Sequence, residues 1–139
     1  MKALLIAALF TLTTSCGKTA DQKEADQLKA EGLSRISTAN SAMKDLNEKY
    51  GINLSPLTET NTATTRAKAY DWAKPTAAQR KEIRTKLFNY VNNVTRVQEI
   101  GNHKNMQLLG GGDSLKSSSD AAWAFYLAAE AYEKSLKSR

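Results

Sequence analysis

The chain has 139 residues, a formal net charge of +6 at neutral pH, a single cysteine (Cys16) and a single histidine (His103). One cysteine excludes an internal disulfide and a thiolate metal cluster, so a packed core must stabilise the fold. Some 120 residues beyond the first apolar run suit one small domain, and no motif calls for a metal or cofactor.

Residues 1–15 have the layout of a targeting segment: Lys2 is a short positive start, Ala3 to Leu12 are apolar, and Thr13, Thr14 and Ser15 are small and polar. An apolar run of this length is too short to cross a bilayer core, which needs roughly 20 helical residues. The stretch LTTSC, Leu12 to Cys16, resembles the lipobox of the bacterial lipoprotein class, with Thr13 where that class carries an aliphatic residue. The resemblance covers residues 1–17. It implies that 1–15 is a cleaved signal peptide and that Cys16 becomes the first mature residue, carrying palmitate-type acyl chains that anchor it to a membrane. Several acyl chains, at about 0.8 kcal/mol per buried methylene, hold a protein on a bilayer durably. Gly17 replaces the aspartate that retains such proteins in the inner membrane of many Gram-negative bacteria. The implied address is therefore the outer membrane, facing the periplasm. Residues 16–20 then form a short tether, and 21–139 a single helical domain.

Over 21–50 the residues Ala25, Leu28, Gly32, Leu33, Ile36, Ala39, Met43, Leu46 and Tyr50 fall on one stripe of a helix, and Gly51 is a natural left-handed stop. Gly32 on that stripe suggests a close helix approach. The threonine-rich stretch 51–65 reads as a loop whose Ile52, Leu54 and Leu57 pack back, followed by a short helix over 66–74. Thr76 and Gln79 have capping-box spacing, which predicts a helix over 77–101. Its apolar face is Ile83, Leu87, Tyr90, Val91, Val94, Val97 and Ile100. Phe88 stands beside that face, Arg84 flanks it, and Arg80, Lys81 and Arg96 are expected off it. Residues 101–119 break the pattern: Met106, Leu108 and Leu109 suggest one buried turn, and GGGD at 110–113 a hinge. A last helix over 119–137 is apolar on two sides, with Phe125, Ala128, Tyr132 and Leu136 on one and Trp123, Tyr126 and Leu127 on the other. No segment alternates as a strand would. The expected class is all-α, a small bundle of three long helices and one short one.

The chemistry of catalysis is sparse. His103 sits just past a helix end, where it suits capping. Glu130 and Glu133 have the spacing of paired acids, so a peptidoglycan-cleaving enzyme is one alternative, but helix-surface acids beside Lys134 and Lys137 are ordinarily ion-paired. The segment 121–137 resembles half of a tetratricopeptide repeat, without a second copy at the expected period. The long first helix and basic C-terminus are similar to the small murein-linked lipoprotein. That family's terminal attachment lysine is replaced here by Arg139.

Binding is therefore the expected role. Trp123, Tyr126, Leu127 and Phe88 form the candidate contact surface for an envelope protein, as an accessory or inhibitor module. The basic segment 66–86 offers a second reading, with Arg80, Lys81, Arg84 and Lys86 docking lipopolysaccharide, lipid headgroups or peptidoglycan. The implied envelope address argues against nucleic acid.

Overall fold

The computed structural model describes residues 19–55, 60–103, 106 and 113–139. The expected signal peptide, Cys16, Leu57, Leu108, Leu109 and most of the GGGD hinge lie outside the described residues. Those described form four helices and no strand: α1 (Ala20–Tyr50), α2 (Thr60–Ala69), α3 (Ala77–Asn102) and α4 (Asp113–Lys137). Among them, no helix is long and apolar enough to cross a membrane. The class is all-α, as the patterning predicts.

Helix α1 is 31 residues long, about 46 Å at 1.5 Å per residue. Thr19 and Gln22 start it with a reciprocal capping box, and Gly51 ends it at φ 68°, a conformation costly for any residue with a Cβ. The Ile52 N–H then reaches back to the Leu46 carbonyl at 3.2 Å, and Asn47 Oδ1 accepts the Leu54 N–H at 2.9 Å. These bonds turn the chain sharply and drive Ile52 and Leu54 into the core, where both are buried. Gly32 is buried on the inner face of α1, whereas Leu33, expected on the same stripe, is 42% exposed.

Helices α1 and α3 pack antiparallel along most of their lengths. Polar pairs mark the register: Asp45 with Lys86 at 3.2 Å, Lys49 with Glu82 at 3.2 Å, Glu31 with Arg96 at 2.8 Å, and Glu24 with His103 at 3.5 Å. Helix α4 packs on α3, and α2 on α4, so the helices lie in the spatial order α1, α3, α4, α2. Leu46, Ile83 and Leu87 occupy the centre of the core, with Ala122, Phe125 and Ala129 contributed by α4. At the far end Val97 and Ile100 are also fully buried.

Two helix boundaries differ from the sequence expectation. The short helix spans Thr60–Ala69, not 66–74. Threonine is a poor helix former in isolation, but Thr64 and Thr65 hydroxyls donate to the carbonyls four residues back, and Ala63 and Ala67 pack inward. The helix stops at Ala69, and Asp71 closes a turn by accepting the Ala73 N–H at 3.2 Å. That turn carries Trp72 inward, its indole N–H donating to the Ala67 carbonyl at 3.0 Å. Helix α4 begins at Asp113, six residues before the expected start at 119. The serines that obscure it are partly packed: Ser118 is buried and hydrogen-bonded to Tyr90.

The largest correction concerns Arg80, which the sequence reading places off the apolar face. It is 7% exposed. Positions 80, 83, 87, 90, 94 and 97 alternate steps of three and four, and all six are buried, so Arg80 extends the core seam of α3 by one turn. Its guanidinium is well partnered: Nε donates to Glu133, and Nη1 to the Pro75 carbonyl at 2.7 Å and the Trp72 carbonyl at 3.3 Å. It also lies 5.1 Å from the centre of the Tyr132 ring. One buried cation thus joins the 72–75 turn to α4.

Candidate functional site

The four predicted contact residues come together on one surface. Phe88 on α3 meets Tyr126 on α4 at a ring separation of 5.9 Å. Tyr126 in turn stacks on Trp123, with centroids 4.9 Å apart and planes 8° from parallel. Leu127 follows Tyr126 on the outer side of α4. Phe88, Trp123 and Leu127 are exposed at 45%, 39% and 47%. Single exposed apolar residues are ordinary on a protein surface; a group of large ones across two helices is the feature that makes this the candidate site.

Helix phase explains why these side chains escape the core. On α4, Ala121, Ala122, Phe125 and Ala129 are buried, which leaves positions 123, 127 and 130 on the opposite side and Tyr126 at the edge of the core. On α3, Phe88 is one step beyond the buried Leu87. Because the α3–α4 register sets position 88 beside 126, both excursions fall at one level and form a shallow aromatic plate in the groove between the helices.

The four bases expected to make an anionic-surface site do not share a surface. Arg80 points into the core, bonded to Glu133. Lys86 faces α1, its ammonium 3.2 Å from Asp45. Lys81 and Arg84 remain, on the same side of α3 as Phe88 by their spacing of seven and four residues. Lys81 is exposed and Arg84 partly buried, with the Arg84 Nε shielded from water and lacking an acceptor. The acids on the α4 side are engaged: Asp120 bonds Lys116 at 2.7 Å, and Glu130 lies 3.5 Å from Lys134.

Of the residues considered for acid–base chemistry, Glu133 is held by Arg80, and only Glu130 is on the outer face. His103 sits at the α1–α3 end with Nε2 3.5 Å from Glu24 Oε1, and its Nδ1 has no partner among the described residues. Among the described residues no cluster of three or more His, Cys, Asp or Glu side chains could hold a metal ion.

A polar network that the sequence does not reveal joins α1 to α3. Glu31 accepts from Arg96 at 2.8 and 3.0 Å and from Arg35 at 2.8 Å. These two guanidinium groups, Arg96 foremost, lower the Glu31 carboxyl from its usual 4.5 to about 2. Nearer the other end, the Tyr50 hydroxyl donates to Glu82 at 2.5 Å and, together with Lys49, keeps that carboxyl ionised to lower pH than usual.

No protein-family model, no curated protein and no solved structure matches the chain.

Proposed function

We propose that this protein is a lipid-anchored, non-catalytic binding module of the bacterial cell envelope, which docks a partner protein on the aromatic surface between α3 and α4. The observation that carries the reading is the half-exposed group of Phe88, Trp123 and Leu127, gathered round the partly buried Tyr126. Trp, Tyr and Arg dominate the energetics of protein interfaces, and here they sit together on rigid helices. The anchor is the Cys16 thioether implied by the LTTSC stretch. The capping residue Thr19 comes three residues later, so the tether reaches about 10 Å at most, and the body works close to its membrane.

Two other readings have less support. An anionic-surface site retains only Lys81 and Arg84 of its four bases. A wall-cleaving enzyme would rest on Glu130 alone, since Glu133 is bonded to Arg80.

The test is affinity capture from detergent-solubilised envelopes with the wild-type chain and with a Trp123→Ala, Leu127→Ala variant shown by circular dichroism to be folded. The variant is expected to lose the captured protein. Undiminished capture would remove the surface from consideration. Mass spectrometry of the native product checks the anchor separately, the expected result being an acylated N-terminal Cys16.

A further inference from the structure

Resting on the reading above, the geometry points to the kind of partner: we infer that the α3–α4 surface receives an acidic amphipathic α-helix. Its apolar residues would cover Phe88, Trp123 and Leu127, and its carboxylates would meet Arg84 and Lys81.

Charge decides the sign of the occupant. Lys81, Arg84 and Phe88 share one side of α3, and neither base has a carboxylate partner among the described residues. The acids on the α4 part of the surface already bond Lys116 and Lys134. The charge left unanswered is therefore positive. Arg84 carries the sharper sign, because its Nε is shielded from water with no acceptor. The Arg84 side chain as a whole is only partly buried, so its guanidinium rewards a ligand that brings an oxygen anion. A second copy of the chain would bring more cations, since a symmetric contact sets like surfaces against each other.

Shape decides the conformation. Phe88 and Tyr126 bridge two antiparallel helices, and Trp123 stacks beside them, a helical surface on which a third helix packs by its ridges. On the other side of α4 the short helix α2 already packs against it, so α4 accepts helices on its flanks. Strand addition needs a sheet edge, and the described residues have no strand. A polyproline ligand inserts between aromatic rings, whereas Trp123 and Tyr126 are closed against each other at 8°. From Lys81 to Phe88 the surface runs about 10 Å along α3, which matches carboxylates placed two turns from the apolar anchors of a partner helix.

The experiment uses the full-length chain in the cells that make it, with the photocrosslinker p-benzoylphenylalanine at Leu127 and, as control, at the exposed Lys44 on α1. The crosslinked peptide is mapped by mass spectrometry. The expected result is a protein adduct at position 127 alone, through a segment with apolar residues at helical spacing and flanking Asp or Glu. Arg84→Glu should cut its yield at least about tenfold, and exchanging the mapped acid for lysine should restore it. Lys81→Glu, on an exposed side chain, carries the same test if Arg84→Glu disturbs folding. A protein adduct indifferent to both reversals overturns the acidic-helix inference and leaves the protein-docking function standing. Adducts only with lipid or with a second copy, or none at all, overturn both.

Discussion

Phe125 and Tyr126 are neighbours on α4, yet they belong to aromatic triads with opposite fates. Phe125 meets Tyr70 and Trp72, all ring pairs edge to face with centroids 4.5–6.3 Å apart. In that group Trp72 and Phe125 are buried, the indole N–H has the Ala67 carbonyl, and the Tyr70 hydroxyl donates to the Tyr50 carbonyl. Tyr126 meets Phe88 and Trp123, where two of the three rings remain exposed and the adjoining Arg84 Nε lacks an acceptor. The first triad is complete within the chain and the second is not. Aromatic content alone does not separate a core cluster from a candidate contact surface; here the two differ in whether the polar atoms around the rings are already satisfied.

The contrast is broken most directly by removing one indole from each side. Trp72→Ala should destabilise the fold by about 3–5 kcal/mol, the range for a large buried aromatic, measured by urea denaturation. Trp123→Ala should cost under about 1 kcal/mol, because it removes a half-exposed ring and leaves no buried cavity. Equal losses would show that both triads are core. The same pair of tryptophans gives an optical check: acrylamide should quench Trp123 strongly and Trp72 weakly.

The next effect belongs to the cation that holds the buried triad in place. Arg80→Ala should cost about 3 kcal/mol, since it strands Glu133 and two backbone carbonyls at the edge of the core. Lys81→Ala, one residue along and outside the core, should leave stability within about 0.5 kcal/mol.

The smallest effect is the acid response. The Glu31 carboxyl is lowered in the folded chain, so its contribution is present above 4.5 and fades as pH falls toward about 2. Glu31→Gln should flatten that part of the stability profile. Salt should shrink the difference, because the pair with Arg96 and Arg35 is open to water. Chemical denaturation at several pH values from 5 to 2, with and without salt, measures both.

The sequence made the long helices readable where local signals and tertiary packing agree. Gly51 stops α1 and the Thr76–Gln79 box starts α3, and both devices form as their spacing predicts. Helix α2 and the first turns of α4 are hidden because threonine and serine are weak helix formers. Their helicity depends on contacts made by Ala63, Ala67 and Ser118 with distant parts of the chain. Arg80 misleads for a related reason. A charged residue reads as surface unless its place in the 3–4 spacing outweighs its type, and its partner Glu133 lies 53 positions away. The proposed contact surface is half legible: Trp123, Tyr126 and Leu127 stand out as surplus to one face of α4, and Phe88 stands beside the face of α3. Only the α3–α4 register brings Phe88 and Arg84 to them.

The antiparallel pairing of α1 with α3 also has a mechanical consequence. A pull on Thr19 enters α1 along its axis and meets Glu31–Arg96, Asp45–Lys86 and Lys49–Glu82 in shear, so the load is shared among them and the buried seam between the helices. A pull sideways would peel the same contacts one after another. Traction from the N-terminal end therefore loads these contacts together and not one at a time.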